Sequence, residues 1–127
     1  MCSSSDTPIQ SSGADTEGVF LWTIPDVLFS IDKEGTILMA NEAFGKGFGQ
    51  AAESLIGTNV FELLSERGWL EMAAHRKAIT EHVVRSRRPD FFYEERDGKI
   101  LKDTVYPIIE DGEVNRLVVI AQDVTEE

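Results

Sequence analysis

Two histidines and one aspartate are the residues of this chain whose types and spacing could do acid–base or ligand chemistry. His75 and His82 are seven positions apart in a segment with helical periodicity, so both imidazoles lie on roughly the same helix face. Asp103 lies in a strand-like segment, where alternation puts it on the same face as Leu101 and Val105. A carboxylate on an apolar face must find a partner or keep its proton at a raised pKa.

The candidate partners of Asp103 are Arg76, His75 and His82 in the helical segment, or a polar ligand. We hypothesise that Asp103 faces an internal pocket and makes it selective for a polar or cationic small molecule. Two alternatives stay open: a twist or bulge turns Asp103 outward, or its carboxylate simply pairs within the protein. A small α+β enzyme using His75 or His82 with Asp103 is the competing functional class. No nucleophile-and-base set supports it, so we predict no catalytic residues and no enzyme.

A glycine-rich run, Gly45-Lys46-Gly47-Phe48-Gly49, follows a strand-like segment as a phosphate-binding loop would. It lacks the Gly-Lys-Ser/Thr ending and the long helix that such a loop requires. We interpret it as a loosened helical turn beside a pocket, where glycines leave room. No His, Cys and Asp residues stand at metal-ligand spacing, and no metal site is predicted.

The composition limits the class of protein. A chain of 127 residues with 42% hydrophobic residues can form one domain with its own core. The net charge of −11 argues against a nucleic-acid or anionic-membrane surface, which requires clustered Lys and Arg. The single cysteine, Cys2, forms no internal disulfide, and neither a secretory segment nor a membrane-spanning run is visible. We predict a cytoplasmic location without direct membrane contact.

The elements that must position these residues follow from hydrophobic patterning and turn residues. Five strand-like segments are predicted at 27–31, 36–40, 91–94, 100–109 and 117–121, joined in hairpins by turns that contain glycine. Between the second and third strands, short helices begin near Asn41, Ala51 and Asn59, and one long helix covers 69–87. Grouped strands and grouped helices indicate an α+β fold: a five-stranded antiparallel sheet with helices on one face. An N-terminal helix or arm would lie on the other face.

The two ends of the chain differ in character. Residues 1–17 are rich in Ser, Thr, Asp and Gly, and they are interpreted as a flexible tail before a single domain at 18–127. The last residues, 123–127, follow an apolar strand and have the Asp, Thr and Glu typical of a helix N-terminus. The domain is therefore expected to end at the junction to a missing C-terminal output helix.

Several segments, taken in order, resemble the PAS domain family over roughly residues 18–127. They are Ile24-Pro25-Asp26-Val27-Leu28-Phe29-Ser30-Ile31-Asp32, Gly35-Thr36-Ile37-Leu38-Met39-Ala40-Asn41, Glu53-Ser54-Leu55-Ile56-Gly57, Val105-Tyr106-Pro107-Ile108 and Asp123-Val124-Thr125-Glu126. The resemblance implies a small pocket between the concave sheet face and the helices. It also implies a sensory or dimerising role in a signalling protein, such as a histidine kinase or a cyclic-nucleotide enzyme. It does not specify the ligand, because the family includes many unrelated sensors.

Specific residues take their expected roles from this resemblance. The junction residues Asp123 and Thr125 would orient the outgoing helix and transmit the signal from the final strand. The resemblance is compatible with haem bound through His75 or His82, or with noncovalent flavin. A flavin bound as a cysteine adduct is excluded, because the single cysteine, Cys2, lies in the tail. The side chains expected to line the ligand pocket are Phe29, Ile31, Met39, Phe44, Ile56, Phe61, Met72, His75, Ile79, Leu101, Asp103, Val105, Val119 and Ala121.

The second face of the sheet is also expected to carry apolar side chains, among them Val118, Ile120 and Tyr106. Such a face needs a cover. We predict a homodimer in which the segment around 19–22 takes part, with self-coverage in a monomer as the alternative. If the pocket is filled by the protein's own side chains, the domain is a ligand-free dimerisation spacer.

Overall fold

One antiparallel sheet and four helices make up the residues that this computed structural model describes, 26–96 and 98–125. Two strands come first, β1 (Val27–Asp32) and β2 (Ile37–Ala40). The helices follow as α1 (Glu42–Gly47), α2 (Ala52–Leu55), α3 (Val60–Glu66) and α4 (Leu70–Ser86). The chain then forms β3 (Asp90–Arg96), β4 (Lys99–Glu110) and β5 (Glu113–Asp123).

The strand order is β2-β1-β5-β4-β3, so the last strand is inserted between the two hairpins. Phe29, Val119 and Val105 are register partners across β1, β5 and β4, and their side chains share one face. The helices pack on this face, where α1 contacts β1 and α4 contacts β4. The predicted α+β class, with five antiparallel strands and helices on one face, is confirmed.

The strands of the second half of the chain are longer than predicted. Pairing in β3 extends over Asp90–Arg96 and in β5 over Glu113–Asp123, because the ladders continue into charged residues up to the turns. The long helix spans 70–86 rather than 69–87: Trp69 is its N-cap and Arg87 its left-handed C-cap (φ 62°). Three predicted features lie outside the described residues: the arm at 19–24, the tail at 1–17 with Cys2, and the acidic residues 126–127.

The first hairpin has a turn whose geometry requires glycine. Oδ1 of Asp32 accepts hydrogen bonds from the backbone N–H groups of Glu34 (3.0 Å) and Thr36 (2.8 Å). Gly35 has a φ of 98°, and a Cβ there would lie 2.5 Å from the Phe61 ring. The turn is thus fixed by local Asp hydrogen bonds and by the close approach of α3.

Two asparagines begin helices, and one of them also joins the helix to the sheet. Oδ1 of Asn41 accepts from the N–H groups of Phe44 and of Leu28 in β1, both at 3.1 Å. Its Nδ2 donates to the Asp26 carbonyl at 2.7 Å, and Asn41 is 0% exposed. Asn59 caps α3 in the same way but is only half-buried.

Candidate functional site

A cavity of about 70 Å³ lies between the sheet and the helices. Strands β1, β3, β4 and β5 form its floor, and α1, α3 and α4 cover it. It is much smaller than a drug-binding pocket of about 300 Å³ or more, so it suits a small molecule. One end of the cavity is aromatic, and the other end is charged.

The aromatic end is a row of four rings that all line the cavity. Phe29 and Phe44 are 4.4 Å apart between ring centroids, Phe44 and Phe48 are 5.1 Å apart, and Phe48 and Trp69 are 6.3 Å apart. Tilted ring pairs at such distances add to the stabilisation that their burial supplies. Trp69 is 40% exposed, so the row runs from the core to the surface.

The charged end consists of Asp103 on β4, Glu94 and Arg96 on β3, and Arg76 on α4. Nη2 of Arg76 donates to Oε1 of Glu94 at 2.7 Å, and Nη2 of Arg96 donates to the same oxygen at 2.9 Å. Arg76 also lies 3.7 Å from Oδ2 of Asp103 and packs its guanidinium over the Phe92 ring, 5.2 Å from its centroid. Arg76 is thus the partner of Asp103 among the three residues that the sequence proposed.

The carboxyl of Asp103 is deeply buried and incompletely satisfied. Its side chain is 5% exposed, and Oδ1 has no hydrogen-bond partner within 26–96 and 98–125. Burial raises the pKa of Asp103 to about 8; the hydrogen bond with Glu94 and the charge of Glu94 act in the same direction, against Arg76 and Arg96. Asp103 therefore keeps its proton near neutral pH and shares it with Glu94.

Glu94 has the opposite character. Burial acts to raise the pKa of Glu94, but the hydrogen bond from Asp103 and the charges of Arg76 and Arg96 outweigh burial and lower it. The two carboxyls therefore divide the roles: Glu94 is the anion and Asp103 is the acid.

The glycine-rich run forms α1 and the turn after it, beside the cavity. A Cβ on Gly45 would lie 2.5 Å from the carbonyl oxygen of Gln50, so the chain can pass this helix closely only because residue 45 is glycine. Gly47 lines the cavity, where a Cβ would lie 3.7 Å from Nη1 of Arg96. Close packing therefore accounts for Gly45 and a left-handed φ of 69° for Gly49, whereas a Cβ on Gly47 would make only an ordinary contact.

Eight of the predicted pocket residues line this cavity, on both the sheet side and the helix side. They are Phe29, Ile31, Phe44, Phe61, Asp103, Val105, Val119 and Ala121. Six others do not line it: Met39, Ile56, Met72, His75, Ile79 and Leu101. Met39 pairs with Ser30 on the opposite sheet face, and Ile56 is the exposed C-cap of α2.

The difference on α4 is a rotation of the helix. Met72, His75 and Ile79 were predicted to face the pocket, whereas the residues of α4 and its N-cap that line the cavity are Trp69, Arg76 and Thr80. An arginine and a threonine at positions i and i+4 gave no apolar signal, so hydrophobic periodicity did not select their face. Phe92 and Glu94 on β3 were missed too, although they alternate with the exposed Phe91 and Tyr93.

Neither histidine reaches the cavity. His75 is exposed and packs edge-on against Phe92, with ring centroids 5.4 Å apart. Nε2 of His82 lies 4.0 Å from Asp90 at the surface. No hydrogen bond or ion pair joins either imidazole to Asp103 in the described part of the chain. The catalytic pair considered for an enzyme is therefore not assembled.

The predicted junction residues, Asp123 and Thr125, are joined by hydrogen bonds to each other and to β4, the strand that carries Asp103. Oγ1 of Thr125 donates to Oδ1 of Asp123 at 2.6 Å and accepts from the N–H of Ile100 at 2.9 Å. The N–H of Val124 donates to the Ile100 carbonyl at 2.8 Å. The hydrogen bonds from Thr125 lower the pKa of Asp123. Val124 and Thr125 thus stay hydrogen-bonded to β4 beyond the end of β5.

Among residues 26–96 and 98–125, no three His, Cys, Asp or Glu side chains converge as a metal site would require. Within the same ranges, no helix combines the length and apolar character needed to cross a membrane.

Comparisons with known proteins agree on the fold. A family model described as the PAS fold matches residues 21–127. The structure of the PAS domain of BvgS from Bordetella pertussis is similar, with a TM-score of 0.69 and 22% identity over 92% of this chain and 90% of that one. A sensory box sensor histidine kinase from Vibrio cholerae has a TM-score of 0.69 and 19% identity over 94% of this chain and 100% of that one.

A DNA-binding receptor is similar as well. The dimeric Vibrio cholerae protein VqmA, described among LuxR-type receptors, has a TM-score of 0.71 and 20% identity. The match covers 87% of this chain and 51% of that chain. No curated protein matches the sequence.

Proposed function

This chain belongs to the PAS family, and on that premise we propose that it is the sensory module of a signalling protein. The module binds a small polar molecule in its cavity and transmits the change through β5 to a C-terminal effector. A histidine kinase or a cyclic-nucleotide enzyme is the kind of effector we propose. The similarity to a domain of a sensor histidine kinase supports this assignment.

The observation that carries the proposal is the unpartnered Oδ1 of the buried Asp103 on a cavity with an aromatic wall. A buried polar atom without a hydrogen bond is costly and rare in folded proteins. A bound molecule with a polar group would satisfy this atom, and its apolar part would contact the rings.

The signal would pass from the cavity to the C-terminal junction through residues that are linked along β5 or hydrogen-bonded to β4. Val119 and Ala121 of β5 line the cavity, and Asp123 and Thr125 come two and four residues after Ala121. Thr125 is hydrogen-bonded to Ile100 on β4, the strand that also carries Asp103. A ligand that favours one arrangement of β4 and β5 therefore shifts the exit direction of the chain by its differential affinity.

Filling the cavity should prevent the protein from retaining a ligand. Ala43 is a half-buried residue of α1 that lines the cavity, and Ala43→Leu would place three more carbon atoms in it. We expect native mass spectrometry of the purified domain to show a bound small-molecule mass in the wild type and to show its loss in Ala43→Leu. The matched control is Ala78→Leu on the exposed side of α4. Equal retention by both variants, or a bare polypeptide mass in the wild type, contradicts the proposal.

A homodimer is the second part of the proposed function, because three aromatic side chains remain exposed on the sheet face away from the helices. Phe91 is 48% exposed, Tyr93 59% and Tyr106 40%. Val118 and Ile120 lie on the same face of β5, the strand that pairs with β4 on the side away from β3. An apolar sheet face of this kind is typical of a protein–protein contact.

Introducing a charge on this face should dissociate the dimer. We expect Tyr106→Asp to halve the mass measured by light scattering after size-exclusion chromatography, since an aspartate would be buried without a partner. Leu70→Asp is the control, as Leu70 is 64% exposed on a helix. A wild type that is monomeric at high concentration, or a dimer that survives Tyr106→Asp, rules out this face as the interface.

A further inference from the structure

The net charge of the side chains at the charged end of the cavity limits the chemical class of the ligand. With the proton on Asp103, the ionised groups that line the cavity are Arg76, Arg96 and Glu94. The lining residues contributed by β1, β5, α1 and α3 are all uncharged. One positive charge is therefore left over among the groups that line the cavity, which favours an anion and disfavours a cation.

The two guanidinium groups have donors to offer. Among the residues described, the only hydrogen-bond acceptor of the Arg76 side chain is Oε1 of Glu94, and the same is true of Arg96. Each guanidinium carries five N–H donors, so both keep donors for a second acceptor. A carboxylate is the anion that guanidinium groups bind with the best geometry.

Oδ1 of Asp103 requires the opposite chemistry. A carboxyl oxygen can accept a hydrogen bond, and no donor reaches Oδ1 within the described ranges. Arg76 lies only 3.7 Å from the other oxygen of the same carboxyl. A ligand that contacts both Arg76 and Oδ1 must therefore carry its anionic group and its donor on neighbouring atoms.

The size of the ligand is limited by the cavity. Its volume of about 70 Å³ is well below the roughly 300 Å³ of a pocket that holds a drug-sized ligand. A molecule with one short carbon chain suits this space, and its carbon atoms would contact the aromatic rings that line the cavity.

We propose that the cavity selects a small 2-hydroxycarboxylate, with its carboxylate on Arg76 and Arg96 and its hydroxyl donating to Oδ1 of Asp103. This inference rests on the proposed sensory function and narrows its ligand. It also replaces the cationic ligand considered from the sequence, because the two arginines repel a cation.

Four small probes separate the two required groups. Glycolate has both; acetate lacks the hydroxyl, glycolamide lacks the charge, and ethanolammonium reverses it. In titrations of the full chain followed by ¹H–¹⁵N NMR, we expect glycolate to bind at least about tenfold more tightly than each of the others, since hydrogen bonds to charged groups are strong. Acetate, glycolamide or ethanolammonium binding as tightly as glycolate would overturn the inference.

Variants connect the binding to the named residues. Arg76→Gln should weaken glycolate at least about tenfold and leave the weak binding of glycolamide unchanged, because only the ionic contact is lost. Arg76→Lys, which keeps the charge, should recover part of the affinity and guards against a folding defect. Arg116→Gln is the control, since Arg116 pairs with Glu110 at 3.1 Å and does not line the cavity. Unchanged glycolate binding in Arg76→Gln contradicts the inference.

A pH series gives an independent readout. Glycolate affinity should fall roughly tenfold for each pH unit above the pKa of Asp103, because an ionised Asp103 repels the carboxylate. Asp103→Asn should remove this fall. A native mass spectrum with a bound molecule that is not a hydroxycarboxylate, together with no glycolate binding, would reject this ligand class and leave the sensory function intact. Absence of both would reject the two together.

Discussion

Asp103→Asn should remove a loss of stability that the wild-type protein shows as the pH rises from 5 to 8. In the unfolded chain Asp103 ionises near its ordinary pKa, whereas in the folded protein burial raises the pKa of Asp103 to about 8. Between these values the folded state binds one more proton than the unfolded state. The stability that Asp103 contributes in this way is therefore fully present below its pKa in the unfolded chain. It is lost as the pH rises through its pKa in the folded protein.

The magnitude follows from the width of this window. One proton linked over three pH units corresponds to roughly 4 kcal/mol of unfolding free energy. The lowered pKa of Glu94 contributes nothing there, because Glu94 is ionised in both states; its contribution is lost only as the pH falls through its folded pKa. Asparagine resembles the protonated aspartic acid in shape and stays neutral, so the variant should be the more stable protein at pH 8.

Urea denaturation at pH 5, 6, 7 and 8 measures this difference directly. Asp111→Asn is the matched control: Asp111 is an exposed turn residue with a φ of 53°, a conformation that asparagine tolerates. We expect the control to keep the wild-type slope. If Asp103→Asn keeps that slope as well, Asp103 is ionised in the folded protein and the division of roles with Glu94 is wrong.

Asn41→Ala should cost about 4 kcal/mol of stability, although it removes only a short side chain. The N–H groups of Leu28 and Phe44 would both lose their acceptor at buried positions, and the Asp26 carbonyl would lose a donor. The Leu28 N–H and the Asp26 carbonyl each cost about 1–3 kcal/mol when unsatisfied, and loss of the bond from Phe44, which is the helix cap, costs about 1 kcal/mol. The effect is large because one amide joins β1 to α1.

Asn59→Ala provides the comparison, since Asn59 also caps a helix with two accepted hydrogen bonds and one donated bond. Asn59 is only half-buried, so water can replace part of these bonds and a loss of about 1 kcal/mol is expected. Urea denaturation followed by tryptophan fluorescence compares the two variants. Equal losses would show that Asn41 acts only as a cap, without a special role at the sheet.

Local patterns in the sequence were sufficient for the elements and for the face of β4. Turn residues such as Asp32 and Gly35 have their effect within a few residues, and helix caps such as Asn41 and Asn59 do so as well. Strand alternation has a fixed period of two, so the sequence placed Asp103 on the same face as Val105, where the cavity lies. These properties depend on neighbours in the chain, and a sequence contains them directly.

Tertiary structure alone decided what surrounds Asp103. The rotation of α4 brought Arg76 and Thr80 to the cavity in place of Met72 and Ile79, and the pairing of β3 with β4 brought Glu94 beside Asp103. Helix rotation and strand register are set by the packing of the whole core, which balances many contacts between residues far apart in the chain. The protonated state of Asp103 depends on those same distant neighbours, because burial and the charge of Glu94 together outweigh two arginines.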